Sequence, residues 1–547
     1  MAVQHAGSGP VQAPAEEHDT TRHLSAAVHV DEVFADALIE ECLSEPTRAI
    51  PPSPGIDPVA VLAEALAGRR TRVLRDSVLL GLFVLALLTN FPLVLGWAVV
   101  GGFGYGTYRA LRRLGGRDRL RPGATVLVGV LSGQLVLAVL VLSLLITTLA
   151  YLDGAAFGAA LVGTLAALAV AAMLGVDRFQ VRALLRDRFA PEKYPAQGPA
   201  IPWPPAPDSW YAPRLGLIAA TANRSNVLVH DGFDPFVGSG ELAHAWSIAI
   251  QLRPAGSATP TPLTAGAILE KVRTEIADLA HPGTLAPGGR FSGLQHAEEY
   301  LTSATSLLRH GREPAGTAVL PDPDQPPRAW VDPDQPPVGA ASEWLRPYQV
   351  FRVASWQQDL VVSSYLHVAC DDRTLYLEWN ACALNPIKEE YRYERMRLRG
   401  GGFALLSGLA DAVAFPVTVP RRARTLFRAA RDAAGWRRRT PDDPSRYGAR
   451  FSVRELAADE HRHTYLQEVD GLRYTKLMER RTLAAVDHVL AEHGLETEEF
   501  ANQATTVVQS TVINGGQFSG TTVVGQDNTT RVDKGKEQRR EQRREQR

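Results

Sequence analysis

Few residues in this chain have both the type and the spacing that chemistry needs. His461 and His463 lie two apart in Asp459-Glu460-His461-Arg462-His463. Two imidazoles hold a metal from one helix when they are three or four apart, because only then do they share a face. An i, i+2 pair points apart, so this stretch reads as a solvated charged face. Gly238-x-Gly240, within GFDPFVGSGELAHAW (232–246), has two glycines of a phosphate-cradling loop. The third position of the dinucleotide pattern, 243, is Ala, and no Walker lysine follows. These glycines read as a turn between two strands. His230, His244 and His367 are isolated, and no G-x-S-x-G or H-E-x-x-H motif occurs. Cys42, Cys370 and Cys382 form no C-x-x-C pair and no disulfide framework, and read as free reduced thiols. No catalytic, cofactor-binding or metal-ligating set emerges. The expectation is a protein that is not an enzyme.

The elements that carry these residues are anchored to three long stretches without charge, 77–108, 122–152 and 154–176. About 20 apolar residues suffice to cross a bilayer, so each is long enough. Arg69, Arg70, Arg72 and Arg75 precede the first. Arg109, Arg112, Arg113, Arg117, Arg119 and Arg121 separate the first from the second. Only Asp153 divides the second from the third, and Arg178, Arg182, Arg186 and Arg188 follow. Short cytoplasmic loops are enriched in Lys and Arg. If the first run is a hairpin, all these arginines lie on one side. Thr89-Asn90-Phe91-Pro92 supplies the break, since proline suits the first turn of a new helix and Asn90 can cap it. Each leg would then be about 15 residues, or roughly 22 Å, short of a hydrocarbon core of about 30 Å. The expectation is two helical hairpins, four membrane segments, and both termini in the cytoplasm. One long tilted first helix is the alternative. The runs hold no Asp, Glu, Lys, Arg or His, which argues against an ion-coupled transporter. They do hold Gly102-x-x-x-Gly106 and Gly154-x-x-x-Gly158, spacings that permit close helix packing.

Net charge is −1, so the whole chain gives no sign of nucleic-acid binding. Only six of its 58 basic residues are lysine. That bias, with abundant Ala, Gly and Pro, fits a GC-rich genome of actinobacterial type. The expected organisation starts with a disordered to short-helical region, 1–56, without a signal peptide. The membrane region follows at 57–190, with its juxtamembrane helices. Residues 191–213 are a proline-rich linker. Residues 214–500 form a cytosolic α+β domain with antiparallel strands. Within that domain Asn226–His230 and Trp246–Leu252 read as strands, 264–280 and 294–309 as helices, and 348–384 as three antiparallel strands. Turns are expected near Gln357-Gln358-Asp359 and Asp371-Asp372-Arg373. In 403–439 an apolar segment precedes a basic amphipathic helix suited to an anionic membrane surface. Residues 452–493 read as helical.

The tail, 501–547, is β-prone and ends in KGKEQRREQRREQR. Thr-Thr-Val-Val occurs at 505–508 and again at 521–524, which reads as two strands joined by turns. From Asn514 to Asn528 the pattern N-G-G-x-x-x-G-T-T-V-V-G-x-x-N resembles bacterial amyloid-signalling motifs. That resemblance implies a self-associating tail able to template a partner. DGFDPFVGSG (231–240), LYLEWNACALNPIKEEYR (375–392) and the 465–500 region resemble uncharacterised actinobacterial multi-pass membrane proteins, which implies no particular activity.

These features point to a polytopic protein of the bacterial inner membrane. It would act as a non-enzymatic scaffold or signalling effector with a cytosolic interaction domain and no cofactor. Its expected partners are the lipid bilayer, further copies of itself through the small-residue spans and the tail, and a protein at the tail. A membrane-anchored enzyme with its site in the α+β domain, and a channel or permease, are the alternatives.

Overall fold

The computed structural model describes residues 15–114, 154–194 and 201–513, together with 521–524. Within these, 202–204, 207, 222–223, 257–259, 282–290, 292, 333–342, 399–400 and 435–442 are excepted. Helix begins at Ala15. Helix α1 (Ala15–Val30) and helix α2 (Glu32–Leu38) bury Leu24, Val28, Phe34 and Leu38 against the first turns of α3 (Pro58–Thr89). Each start is capped. Asp31 accepts from the amides of Val33 and Phe34, and Asp57 from those of Val59 and Ala60, with Pro58 at the first helical position. Helix α3 then runs without interruption through its arginines into the first apolar run.

The break expected at Asn90 is present. Helix α3 stops at Thr89 and α4 (Phe91–Leu114) starts one residue on, with the Asn90 side chain accepting from the Leu93 amide. Phe83 and Trp97 lie seven residues to either side, yet their ring centroids are 6.0 Å apart. An unbroken helix would separate them by about 21 Å, so α4 folds back on α3. Helix α5 (Gly154–Arg188) packs against α3. Among the described residues one helix is long and apolar enough to cross a membrane, Gly158–Arg188, and Phe91–Gly106 is a shorter apolar helix. The run 122–152, and with it the expected second hairpin, lies outside the described residues.

The C-terminal body is a mixed sheet carried between short and long helices. The remaining helices are α6 (Ala212–Thr221), α7 (Ala265–Ala277), α8 (Ala304–Arg309), α9 (Pro314–Val319), α10 (Tyr393–Leu398), α11 (Gly401–Ala433), α12 (Val453–Leu456), α13 (Tyr465–Glu492) and α14 (Glu498–Ile513). The strands are β1 (Val227–His230), β2 (Glu241–Gln251), β3 (Gln295–Ser303), β4 (Arg346–Ser355), β5 (Leu360–Cys370), β6 (Thr374–Leu384) and β7 (Thr521–Val524). Six strands in the order β1-β3-β4-β5-β6-β2 form a mostly antiparallel sheet, and the short β7 adds to β2 in parallel. This is the α+β class. The alternation read over 348–384 gives the β4-β5-β6 meander as expected, and Trp379 of β6 stacks on Trp246 of the neighbouring β2, 5.8 Å between centroids. Helices α7, α13 and α14 cover one face through Ile268, Val272, Ile276, Met478, Val486 and Val507. Burying each such side chain contributes about 1.5–3 kcal/mol.

Two expectations fail here. Residues 294–309 are not one helix, because 295–303 is a strand pairing with both β1 and β4. Its composition favours helix, but β4 pairs it from Gln295 to Leu301, β1 pairs it from Tyr300 to Ser303 and Arg352 meets Glu299, and that context overrides propensity. The first Thr-Thr-Val-Val is not a strand either: it lies inside α14. In 403–439 the apolar segment and the basic stretch as far as Ala433 form one helix, α11, with Pro416 and Pro420 inside it. Helix α11 packs against α3, α4 and α5 in the apolar bundle.

Candidate functional site

The bundle changes character at one level. On α3, Arg70, Thr71 and Leu74 face outward before Asp76, whereas Val78, Val84, Leu85 and Leu88 face outward after it. On α5, Leu161, Val162, Leu165, Leu168 and Val176 face outward before Asp177, and Phe179, Gln180, Arg182 and Arg186 after it. On α11, Leu406 and Leu409 face outward ahead of Pro420, and Arg421, Arg424 and Phe427 beyond it. The three change points touch. Arg75 pairs with Glu32 at 2.6 Å, Asp76 at 2.9 Å and Asp177 at 2.7 Å, and Arg422 pairs with Asp76. Below this layer Arg421 and Arg428 of α11 meet Glu32 and Glu40, and Asp432 of α11 meets Arg69 of α3. Burial would raise the Glu32 carboxyl, but Arg75 and Arg422 outweigh it and hold its pKa at about 2. In these pairs the Arg421 and Arg428 side chains remain partly exposed, and Arg424 faces outward.

Glycines set the close approaches above the layer. A Cβ on Gly101 would come within 2.5 Å of the Val413 carbonyl oxygen, and one on Gly163 within 2.6 Å of Asn90. Gly408 lies against Gly175. Gly102, Gly106 and Gly158 have open space where a Cβ would stand.

In the α+β body, Gly238-x-Gly240 does cradle an anion, and the anion belongs to this chain. The Gly238 and Gly240 amides donate to Glu455 Oε1 at 2.7 and 3.0 Å, and Glu455 Oε2 accepts from Ser452. Both glycines are at positive φ, 101° and 84°, and a Cβ on Gly240 would meet the Ala383 carbonyl oxygen at 2.4 Å. Burial raises the Glu455 pKa while these amide donors pull the other way. The loop's donors are thus spent on a structural cap, in keeping with its reading as a turn.

Sequence reasoning missed a buried polar cluster on the sheet. Arg352 donates to Glu299 at 2.7 Å and to the Tyr365 hydroxyl at 3.2 Å, and Ser239 Oγ lies 2.6 Å from that hydroxyl. Its members come from β3, β4, β5 and the glycine loop, so only strand register brings them together. His244, at a β-bulge in β2, pairs with Glu479 of α13 at 3.1 Å. His463 meets Asp459 at 3.3 Å, while His230 and His367 engage the carbonyls of Gly232 and Pro347. Burial pushes the Cys42 thiol up to about 12. Among the described residues no group of three or more His, Cys, Asp or Glu is placed to hold a metal.

Fold and surface define an α+β protein joined to an apolar helical bundle. The AbeC-like domain family matches residues 245–523, just over half of the sequence, and the chain belongs to that family. No curated protein and no solved structure matches it.

Proposed function

We propose that this protein is a non-enzymatic scaffold or signalling protein of the bacterial inner membrane, holding its AbeC-like domain at the cytoplasmic surface. One observation carries this reading: three helices exchange a charged outer face for an apolar one at a shared layer of ion pairs. Water on one side and hydrocarbon on the other favour that division. A soluble protein rarely exposes so extended an apolar surface. The arginine-rich flanks favour a cytoplasmic location for the charged side and for both termini. The open faces at Gly102, Gly106 and Gly158 leave room for helices of a second copy, and β7 at the sheet edge offers a strand to which a protein or another copy could add.

The test is crosslinking in native membranes after alkaline carbonate extraction, comparing the full chain with one ending at Ile513. Truncating at Phe500 would strip Val507 from the core and confuse the result. Retention in the membrane with oligomers that weaken on truncation supports the reading. Release by carbonate would refute the membrane anchor, and identical oligomers would remove the tail from assembly.

A further inference from the structure

The apolar half of α11 belongs to the AbeC-like domain by sequence, yet it sits in the bundle. Its buried side, Gly408, Ala412 and Phe415, packs on Leu79, Phe83, Trp97, Leu174 and Gly175. Phe83 is seven residues beyond Asp76, and Leu174 and Gly175 are three and two before Asp177. Seven helical residues rise about 10 Å, so α11 reaches only a short way past the ion-pair layer. A leaflet's hydrocarbon is about 15 Å deep, half of the core.

Among the described residues nothing covers the outer side of α11 at Leu406 and Leu409. Leu406 is 64% and Leu409 55% exposed, whereas a helix packed on a soluble domain carries polar residues there. Its polar backbone is provided for. Pro416 has no N–H, which frees the Ala412 carbonyl, and Trp97 Nε1 donates to that oxygen at 2.8 Å. In hydrocarbon an unpaired carbonyl is costly, so this bond suits the helix to a place without water. Asp411, the one charge in 402–419, pairs with Arg178. Past Pro420 the outer side turns basic at once.

We infer that residues 402–419 are a shallow membrane-inserted segment. They lie in the hydrocarbon of the cytoplasmic leaflet, so that the AbeC-like domain is itself seated in lipid. The occupant of the exposed face is acyl chain. This rests on the membrane reading above and goes beyond it, since a domain tethered only by α3–α5 would keep 402–419 in water.

Environment-sensitive fluorophores on single accessible cysteines test this in the full-length protein carrying Cys42→Ser and Cys370→Ser, with Cys382 buried, reconstituted in phosphatidylcholine–phosphatidylglycerol vesicles. Leu409→Cys probes the segment, Leu165→Cys the interior of α5, and Phe427→Cys the basic half of α11. The expected result at 409 is quenching by lipid labelled near the headgroup at least about twofold stronger than by lipid labelled near the chain end, with protection from aqueous iodide. The label at 165 responds most to the chain-end quencher, and that at 427 to iodide. If 165 is quenched by lipid but 409 responds only to iodide, the inference falls and the membrane anchor stands. Strongest quenching of 409 by the chain-end lipid overturns the shallow seat. Iodide access at both 165 and 409 overturns the anchor and the inference together.

Discussion

Thr-Thr-Val-Val occurs twice, sixteen residues apart, and its two copies have opposite backbones. At 505–508 it is the middle of α14, and at 521–524 it is the whole of β7. In the helical copy Val507 is fully buried and Val508 packs beside it on the sheet. Thr505 and Thr506 return their hydroxyls to the carbonyls of Ala501 and Asn502, at 2.8 and 3.1 Å. That bond is how threonine tolerates a helix interior. The strand copy pairs its backbone with Ala245–Ile248 of β2. Identical residues therefore take whichever structure their surroundings complete. Upstream of the first copy, Glu498–Ala504 already forms helix, and extending it costs less than starting a strand. The second copy stands between Gly520 and Gly525, next to the open edge of β2.

Proline discriminates the copies most strongly. Thr506→Pro removes a helical hydrogen bond and is expected to cost about 3 kcal/mol or more, whereas Thr522→Pro on the edge strand costs about 1 kcal/mol or less. Thermal unfolding of the full chain in detergent measures both, and equal losses would mean that the copies are not different. Next comes Val507→Ala, expected to lose about 2 kcal/mol from the core. Ending the chain at Ile513 deletes only the strand copy, and its expected cost is below about 1 kcal/mol by the same measurement. A drop as large as that of Val507→Ala would make β7 part of the core. Smallest and sharpest is a difference in sign. Thr505→Ala, on the exposed side of α14, is expected to stabilise by about 0.5 kcal/mol, while Thr521→Ala destabilises by a few tenths. Acid serves as a control, since neither copy titrates. Glu32 has its pKa depressed from 4.5 to about 2, so its contribution is complete above pH 4.5 and is lost as pH falls toward 2. That loss, followed by unfolding from pH 6 to 2, should be the same size in every variant.

The same contrast runs through the rest of the chain. The β4-β5-β6 meander was legible because alternation is a local property, and β5 and β6 turn at Asp371, which accepts from the Arg373 and Thr374 amides as an aspartate turn should. The break at Asn90 was legible from Asn and Pro alone. Helix α7 was legible from its apolar spacing and its Thr264 cap. By contrast, 295–303 has the composition of a helix, and only Arg352 across the sheet makes a strand placement of Glu299 tolerable. The Glu299–Arg352–Tyr365–Ser239 cluster left no trace, because its members span more than a hundred residues. The glycine loop was rightly read as a turn, but nothing local reveals that Glu455, over two hundred residues on, is what its amides hold.

By itself, the sequence determined the charge-free runs, the arginine fences beside them, the meander and the absence of a recognisable catalytic motif. Each follows from periodicity, from composition, or from residues a few positions apart. The tertiary structure decided which Thr-Thr-Val-Val is helix and which is strand. It also decided which glycines carry close contacts, and that α11 leaves the domain that encodes it to join the apolar bundle. These outcomes depend on pairing and burial between distant segments. Local energies of a few tenths of a kcal/mol cannot oppose the several that one buried side chain or ion pair commits.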